Sequence, residues 1–334
     1  MANITAAMVK ELREATGAGM MECKKALVEA DGDMAGATDI LRTRGLAAAA
    51  KKAGRATNEG RVLAKVCSTC GKAAVVEVNC ETDFVAINEK FGEYCDKIAT
   101  AVILNNPADV EALKESEFEG AKVADVLTDA IHVIGENMQV ARFAYVEPAE
   151  TGAIVSYNHM NNKIGVLVSF ATGKAETTAT DAFKAMGADV AMHIAAMNPV
   201  SLDKDSVPAE VAQHELEIYT AQAAESGKPE NIQEKIAEGR MSKFYKENCL
   251  LAQDFVKDPD KTVEQYVAGV AKELGDTIEV VSYVRMALGE YSPAALLLST
   301  RRAGPLRSAL FLRAAKPPRI MQTPPIPRYN HGHL

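Results

Sequence analysis

The chain of 334 residues contains no tryptophan, and aromatic residues make up only 5% of it. It also lacks any run approaching the roughly 20 apolar residues that a membrane-spanning helix needs. Its first residues include Lys10, Glu11 and Arg13, where a secretory signal would have an apolar segment. We therefore expect a cytoplasmic protein that does not bind a membrane.

Motifs of nucleotide-binding and hydrolytic enzymes are also missing. There is no Gly-x-x-x-x-Gly-Lys-Ser/Thr loop, and the Gly-Ala-Gly segment at residues 17–19 is followed by Glu22 where a dinucleotide fingerprint has glycine. No Gly-x-Ser-x-Gly elbow occurs, and the six histidines show no nucleophile partner. His193 follows an apolar helical pattern, which favours a core or edge histidine. These absences predict that the chain binds no nucleotide or other cofactor itself.

The six cysteines lack the compact spacing of a disulfide framework, so we expect reduced thiols. Cys67 and Cys70 have the spacing of a metal-binding pair. A structural zinc ion needs four ligands, however, and the others would have to be Cys80, Cys95 or a distant histidine. Reduced thiols in a hairpin turn are the favoured interpretation, and zinc is the alternative.

Charge is distributed very unevenly along the chain. All 45 acidic residues lie at or before Glu290, and this part holds 30 basic residues, which gives it a net charge of −15. The last 44 residues carry seven Lys or Arg. Because nucleic-acid affinity depends on basic side chains that displace counterions, the acidic body argues against direct nucleic-acid binding and favours a protein partner.

The N-terminal part is predicted to be helical. Residues 4–44 contain three short patterns in which apolar residues recur every three or four positions. Thr5 is a candidate cap of the first helix, and glycines at 17 and 19 end it. We expect a helical bundle over residues 1–46 and a basic, alanine-rich helical linker over 47–59.

The middle of the chain contains one pattern twice. Residues 60–80 alternate as two strands around a turn near Cys70, and a helix follows from Asp83. Residues 152–171 again alternate as two strands around a turn at 161–163, and a helix over 180–197 follows. Two hairpin-plus-helix units predict an α+β core with antiparallel sheets. Its first repeat would span residues 60–150 and its second 151–207.

The remaining segments differ in composition. Residues 208–248 give two helical patterns around a Ser-Gly-Lys-Pro turn at 226–229, which predicts an inserted helical hairpin. Residues 249–290 return to the core and include a last strand over 278–285. Residues 291–334 hold seven of the 13 prolines and no acid, a composition expected of a disordered basic tail and equally of a frameshifted or fused terminus.

The most informative segment is residues 78–86, Val-Asn-Cys-Glu-Thr-Asp-Phe-Val-Ala. Thr82 is a favourable N-cap at a strand-to-helix junction, which would place Asp83 and Phe84 at the exposed start of a helix. Spacing alone favours another interpretation, in which Phe84 opens a buried helical stripe. The other members of that stripe are Ile87, Phe91, Cys95, Ile98 and Val102.

A second segment, residues 9–27, reads Val-Lys-Glu-Leu-Arg-Glu-Ala-Thr-Gly-Ala-Gly-Met-Met-Glu-Cys-Lys-Lys-Ala-Leu. Together with residues 78–86 it resembles the elongation factor Ts family, the guanine-nucleotide exchange factors of elongation factor Tu. The resemblance extends to about Glu290 and includes Ser-Gly-Lys-Pro at 226–229, Glu-Gly-Arg-Met at 238–241 and Lys-Thr-Val at 261–263.

The resemblance implies a partner, a mechanism and a set of contact residues. The N-terminal three-helix (UBA-like) bundle would grip a helix of the GTPase domain of elongation factor Tu, in its GDP-bound and nucleotide-free forms. The turn at residues 82–85 would insert beside the magnesium and phosphate site and accelerate GDP release. The matching positions are Thr82, Asp83, Phe84, Val85 and His159 in this probe, and Arg13, Met20 and Met21 in the bundle.

Adjacent Met20 and Met21 cannot both point inward on one helix, so we expect at least one to be available to the partner. The resemblance also implies a homodimer through the helical hairpin. It does not extend to the family's acidic C-terminal helix, because residues 291–334 contain no acid. Two alternatives stay open: a non-catalytic, chaperone-like binding module of the translation apparatus, and a metal- or thiol-dependent enzyme centred on Cys67 and Cys70.

Overall fold

The computed structural model describes residues 4–290, 299–300 and 311–314, the last two ranges by their backbone alone. These residues form helices and antiparallel sheets, which confirms the α+β prediction. The predicted disorder of residues 291–334 falls on a segment that lies outside the described residues except for two short strands. The domain boundaries stay a prediction.

Three helices form the N-terminal bundle: α1 (Ala6–Thr16), α2 (Met20–Glu29) and α3 (Met34–Lys52). Thr5 caps α1 by accepting the Met8 N–H at 3.3 Å, and Gly17, at φ +68°, ends it. Residues 47–52 of the predicted helical linker continue α3, because the alanines there favour helix and outweigh the glycine at position 45. The bundle core is Val9, Leu12, Ala18, Cys23, Ala26, Leu27, Ala37 and Leu41.

The first α+β unit follows the bundle. Its elements are β1 (Glu59–Val66), β2 (Ala73–Cys80), α4 (Asp83–Ala86), α5 (Glu89–Asn105), α6 (Val110–Glu115), β3 (Glu117–Phe118), β4 (Ala121–Lys122), α7 (Val123–Ile134) and β5 (Met138–Val146). Strands β1, β2 and β5 form an antiparallel sheet in that order. Every residue of β2 is buried, since this central strand is covered on both faces.

The second unit repeats this plan with an insertion. Its elements are β6 (Gly152–His159), β7 (Ile164–Thr172), α8 (Asp181–Met197), α9 (Ala209–Ala224), α10 (Glu230–Asn248), β8 (Asp254–Phe255), β9 (Asp258–Thr262), α11 (Val263–Glu273) and β10 (Ile278–Ala287). Strands β6, β7 and β10 form the second antiparallel sheet. Helices α9 and α10 are the predicted hairpin, and Gly227 at φ +65° lies in its turn.

The duplication is more extensive than the sequence pattern indicated. In each unit a long helix, α5 or α8, is followed later in the chain by a two-stranded hairpin, a helix and a third strand. These are β3, β4, α7 and β5 in the first unit, and β8, β9, α11 and β10 in the second. Two further strands lengthen the sheets. Ser299–Thr300 (β11) pairs with β10, and Phe311–Ala314 (β12) pairs with β5.

The two sheets pack face to face, and helices cover their outer faces. Gly165 of β7 lies so close to the first sheet that a Cβ atom there would be 3.0 Å from the side chains of Val62 and Val75. The core between the sheets consists of Val62, Ala64, Ala73, Val75, Ala144, Val146, Ile154, Leu167, Val284 and Met286. Within the described ranges, no helix is both long and apolar enough to cross a membrane.

A buried ion pair ties the first sheet to the end of β10. Glu77 is fully buried, and its Oε2 accepts from Arg142 Nε at 2.7 Å. The other carboxylate oxygen accepts the Gly289 N–H at 3.1 Å, and Arg142 donates to the Ala287 carbonyl at 2.8 Å. The two units are therefore joined by apolar packing and by a hydrogen-bonded charge pair.

Candidate partner-binding site

The strand-to-helix junction predicted at Thr82 is present, but the helix that begins there has only four residues. Thr82 caps α4 by accepting the Val85 N–H at 3.4 Å. The chain then leaves the helical conformation, and Asn88 caps α5 by accepting the Lys90 N–H at 2.8 Å. Two caps six residues apart therefore divide what spacing treats as one helix.

This break overturns the interpretation that spacing alone favoured. Phe84 is 79% exposed and Ile87 is 62% exposed, whereas the stripe is buried from Phe91 onward. Spacing assumes one uninterrupted helix, and the restart at Asn88 changes the phase of the pattern. Phe84 is therefore a surface residue.

Glu136 holds the turn that presents Phe84. One of its carboxylate oxygens accepts the backbone N–H groups of Glu81 and Thr82, both at 3.0 Å. The other accepts the Thr82 hydroxyl at 2.6 Å. These charge-assisted bonds fix the backbone immediately before Asp83.

A second carboxylate, that of Glu81, also bonds the turn to the segment before β5. Glu81 Oε1 accepts the Asn137 N–H at 2.6 Å and lies 3.3 Å from Arg55 Nη1. The Cys80 thiol donates to the Thr82 carbonyl at 3.2 Å. Burial, and then the Glu136 carboxylate, raise the pKa of Cys80 to about 12, so this thiol stays protonated and can donate.

Arg61 of β1 braces the other end of α4. Its guanidinium donates to the Ala86 carbonyl and, at 3.0 Å, to the Asn88 carbonyl. The same group lies 5.9 Å from the centre of the Phe91 ring. The Ala86 carbonyl, at the end of the short helix, is thus satisfied, and the Asn88 carbonyl, which also accepts the Gly92 N–H, gains a second donor.

Asp83 and Phe84 are exposed on this braced turn, and Val85 differs from them. Val85 is half-buried and packs against the core of the first unit. The predicted four-residue probe therefore divides into a capping residue, two exposed side chains and one packing residue.

His159 lies at the end of β6, in the hairpin with β7. It is half-buried, and its Nδ1 lies 2.9 Å from the Tyr157 hydroxyl, with the two rings stacked at 5.7 Å. The hairpin turn follows with Met160, Asn161 and Asn162 at positive φ. Left-handed backbone at a non-glycine residue is uncommon and is strained at Met160.

The β6–β7 turn docks on the first unit, close to the Thr82 turn. The Asn162 carbonyl accepts the Val62 N–H at 2.6 Å, and Lys163 forms an ion pair with Glu59. Glu59 begins β1 and pairs with Cys80, the last residue of β2. His159 and Phe84 thus lie on turns at the same end of the first sheet.

The bundle residues line a groove of about 900 Å³. Met20 and Met21 are 59% and 65% exposed, so both are available, and Arg13 is exposed beside them. Lys90, in the first turn of α5, lines the same groove. Since α5 begins directly after the Phe84 turn, the groove and the turn are close neighbours.

Helix α7 attaches the bundle to the first unit. Arg42 and Asp125 form an ion pair at 2.5 Å, and Lys52 donates to the Ile131 carbonyl at 3.2 Å. His132 Nε2 lies 3.1 Å from a Glu22 carboxylate oxygen, a close contact without hydrogen-bond geometry. Three side chains of the bundle therefore meet α7.

The zinc alternative finds no support among the described residues. Cys67 is half-buried and Cys70 exposed in the turn between β1 and β2, whereas Cys80 and Cys95 are buried. Across the described ranges, no group of three or more His, Cys, Asp or Glu side chains is arranged to hold a metal ion.

Sequence reasoning missed the residues that position the turn. Glu136 is 54 residues from Thr82 along the chain, and Arg61 is 25 residues from Ala86. Short-range periodicity cannot report such pairs. The duplication was the one available signal. A third strand paired with β2 would begin beside the end of β2, and the residues just before that strand, including Glu136, would then lie next to Thr82.

The described residues define a duplicated α+β scaffold that presents a braced, exposed acid–aromatic turn beside a helical bundle. A family model described as Elongation factor TS matches residues 81–290. The chain belongs to the elongation factor Ts family.

Individual relatives agree over a longer range. Elongation factor Ts of Trichlorobacter lovleyi is 50% identical over 290 residues, which are 86% of this chain and 93% of that protein. Elongation factor Ts of Clostridioides difficile is 49% identical over 292 residues, 87% of this chain and 94% of its own. Elongation factor Ts of Desulfovibrio desulfuricans is 45% identical over 289 residues, which are 86% of this chain and 99% of that protein. These matches cover much more of the chain than the family model does.

Proposed function

We propose that this chain is a guanine-nucleotide exchange factor for elongation factor Tu, acting in the cytoplasm without covalent chemistry. The observation that supports this most directly is the exposure of Phe84 beside Asp83 on a turn held by Glu136, Glu81 and Arg61. A large aromatic side chain that is exposed to solvent on a well-ordered turn contributes nothing to the chain's own core. It suits insertion into a partner.

Phe84 would act as a wedge at the nucleotide site of the partner. A GTPase holds the phosphates with backbone N–H groups and a magnesium ion, so displacing either weakens GDP binding. Each 1.4 kcal/mol removed from that binding lowers the affinity about tenfold. Asp83, at the same exposed position, would repel phosphate oxygens or compete for the donors that hold them.

The remaining surfaces would provide affinity and orientation. Arg13, Met20 and Met21 line the bundle groove, which suits a partner helix because thioether side chains adapt to its shape. Thr82 and Val85 would position the probe, and His159 would contact the partner from the neighbouring hairpin turn. No nucleic acid or membrane is needed in this scheme.

We also propose self-association through the α9–α10 hairpin. Leu216, Ile218 and Ile232 on these helices are 38%, 36% and 37% exposed, and contact with a second copy would cover such side chains. Sedimentation of the full chain over a range of concentrations tests this. A single monomeric species at every concentration would contradict it.

The decisive experiment measures release of a fluorescent GDP analogue from elongation factor Tu, with excess unlabelled GDP and catalytic amounts of this chain. We expect acceleration that is largely lost in Phe84→Ala. Truncating a fully exposed residue changes the free energy of unfolding by less than about 0.5 kcal/mol, whereas deletion of a core Phe costs about 3–5 kcal/mol.

Leu104→Ala is the matched control, since Leu104 is 65% exposed at the far end of α5. With this variant, elongation factor Tu should release GDP as fast as it does with the wild-type chain. Binding to elongation factor Tu without accelerated release would favour the alternative of a non-catalytic, chaperone-like module.

A further inference from the structure

The turn between β1 and β2 contains two thiols that the proposed exchange does not use. The Gly71 N–H donates to the Cys67 carbonyl at 3.0 Å, and the Cys67 N–H donates to the Lys72 carbonyl at 2.8 Å. The chain therefore makes one helical turn across this loop. Cys67 and Cys70, three positions apart, lie on the same side of it, a separation at which side chains are neighbours.

These two thiols differ from the other cysteines in accessibility. Cys70 is exposed and Cys67 half-buried, whereas Cys23, Cys80, Cys95 and Cys249 are buried. A small reagent in solution can reach the turn without unfolding of the sheet. The chain thus provides four internal controls for any reaction at the turn.

The surroundings of Cys67 favour its thiolate. Hydrogen bonds from Cys70, and then from Thr69, lower the pKa of Cys67 to about 6, and its Sγ lies 3.1 Å from the Thr69 hydroxyl. By contrast, burial raises the pKa of Cys95 to about 12 and that of Cys249 to about 11. Since the thiolate is the nucleophile, Cys67 is the reactive sulfur.

We propose that Cys67 and Cys70 form a reversible dithiol–disulfide pair that undergoes exchange with small-molecule disulfides such as oxidised glutathione. The Cys67 thiolate attacks one sulfur of the reagent, forms a mixed disulfide and releases one thiolate. Cys70 then loses its proton, attacks the Cys67 sulfur and releases the second thiolate. The two protein thiols lose two electrons, and the reagent is reduced to two thiols.

This pair lies far from the Phe84 turn. Cys67 and Cys70 follow the Val66–Ala73 end of the β1–β2 ladder, and Thr82 follows the Glu59–Cys80 end, seven residue pairs away. At about 3.3 Å per residue the two ends are roughly 23 Å apart. The thiol reaction can therefore be tested independently of nucleotide exchange.

The test uses the full chain, reduced and freed of reductant, and incubated at pH 7 with oxidised glutathione. Acid quenching, alkylation and mass spectrometry then locate each modified cysteine. We expect loss of two hydrogens from the chain, with Cys67 and Cys70 protected and the four buried cysteines alkylated after denaturation. Added dithiothreitol should reverse the change.

Single substitutions separate the two steps. Cys70→Ser should stop at a mixed disulfide of Cys67 with glutathione, whereas the wild type should pass through it. If the mixed disulfide accumulates equally in both, Cys70 does not resolve it and the proposal fails. It also fails if neither thiol reacts, or if the buried cysteines are oxidised to the same extent.

The rate of alkylation checks the assignment of the nucleophile. At pH 6 a thiol with a pKa of about 6 has roughly 150 times the thiolate fraction of an ordinary thiol. Its lower intrinsic nucleophilicity reduces this advantage to about tenfold. In the reduced wild type, where Cys70 still donates to Cys67, Cys67 should therefore react with iodoacetamide about tenfold faster at pH 6 than it does in the urea-denatured chain. Alkylation of Cys70 as fast as Cys67 in the folded chain would overturn the assignment.

Discussion

The Glu136 carboxylate links the start of β5 to the Thr82 turn through three hydrogen bonds. Replacing it with alanine leaves two backbone N–H groups and a hydroxyl without this acceptor. If the turn must become ordered on binding, the binding free energy is reduced by about 1–2 kcal/mol per ordered residue. A reduction of 1.4 kcal/mol lowers the affinity about tenfold. We expect Glu136→Ala to slow GDP release by about tenfold at subsaturating factor concentration, measured with the fluorescent analogue.

Glu136→Gln is the conservative comparison, because its amide oxygen can still accept from the backbone. It should recover part of the rate that alanine loses. The unfolding free energy, measured in urea, should fall by about 1–3 kcal/mol in the alanine variant. An unchanged exchange rate in Glu136→Ala would show that the turn keeps its geometry without this carboxylate.

His193 of α8 provides a pH-dependent contribution to stability. Its Nδ1 accepts the Val256 N–H at 3.2 Å, its Nε2 lies 2.9 Å from Gln253 Oε1, and it is buried, as the sequence predicted for a core histidine. Burial lowers its pKa, an effect partly offset by the Gln253 hydrogen bond. The unfolded chain therefore binds a proton at a higher pH than the folded chain does, and stability falls as the pH drops below about 6.5.

We expect the unfolding free energy of the wild type to decline more steeply between pH 7.5 and 5.5 than that of His193→Gln, which cannot titrate there. Urea unfolding at several pH values gives both slopes. Parallel slopes would mean that His193 titrates alike in the folded and unfolded chain.

The pairing of β2 with β5 brings together Glu77 and Arg142, whose charges are fully desolvated. Removing one partner of such a pair leaves an uncompensated buried charge, which costs about 3–5 kcal/mol. Arg142→Met should therefore lower the unfolding free energy by that amount in urea. The pair Arg42–Asp125 supplies the control, because the Arg42 side chain is 59% exposed: Arg42→Met should change stability much less than Arg142→Met does. Equal losses would contradict the role of burial.

The elements show which parts of the fold short-range patterns determine. The hairpins β1–β2 and β6–β7 and the strand β10 were predicted because alternation and turn residues are local signals. The strand β5 was missed, and the break at Asn88 was not expected, although Asn is a good N-cap. Capping at Thr82 indicated an exposed Phe84 and spacing indicated a buried one, and the residues that decide between them, Glu136 and Arg61, come from distant segments.

At the scale of the whole molecule, the two proposed contact surfaces are attached to one scaffold. The groove with Met20 and Met21 belongs to the bundle, and the Phe84 turn belongs to the first α+β unit, with α7 and the start of α5 between them. In the proposed complex, thermodynamic coupling is reciprocal: if the factor weakens GDP binding, GDP weakens factor binding by the same ratio. Contacts far from the nucleotide should therefore differ kinetically from contacts beside it.

Met20 and Met21 should support binding in the ground state and the transition state equally, because the groove does not touch the nucleotide in the proposed complex. Losing a contact that stabilises both states equally raises the concentration of factor needed for half-maximal exchange and leaves the maximal rate of GDP release unchanged. Each methionine buried at an interface contributes about 1.5–3 kcal/mol, so Met20→Ala/Met21→Ala should raise that concentration tenfold or more. Phe84→Ala should instead lower the maximal rate of GDP release. Met197→Ala, at a methionine 47% exposed in the second unit, should change neither. A lower maximal rate in the methionine variant would contradict this division, because it would place the bundle among the groups that displace the nucleotide.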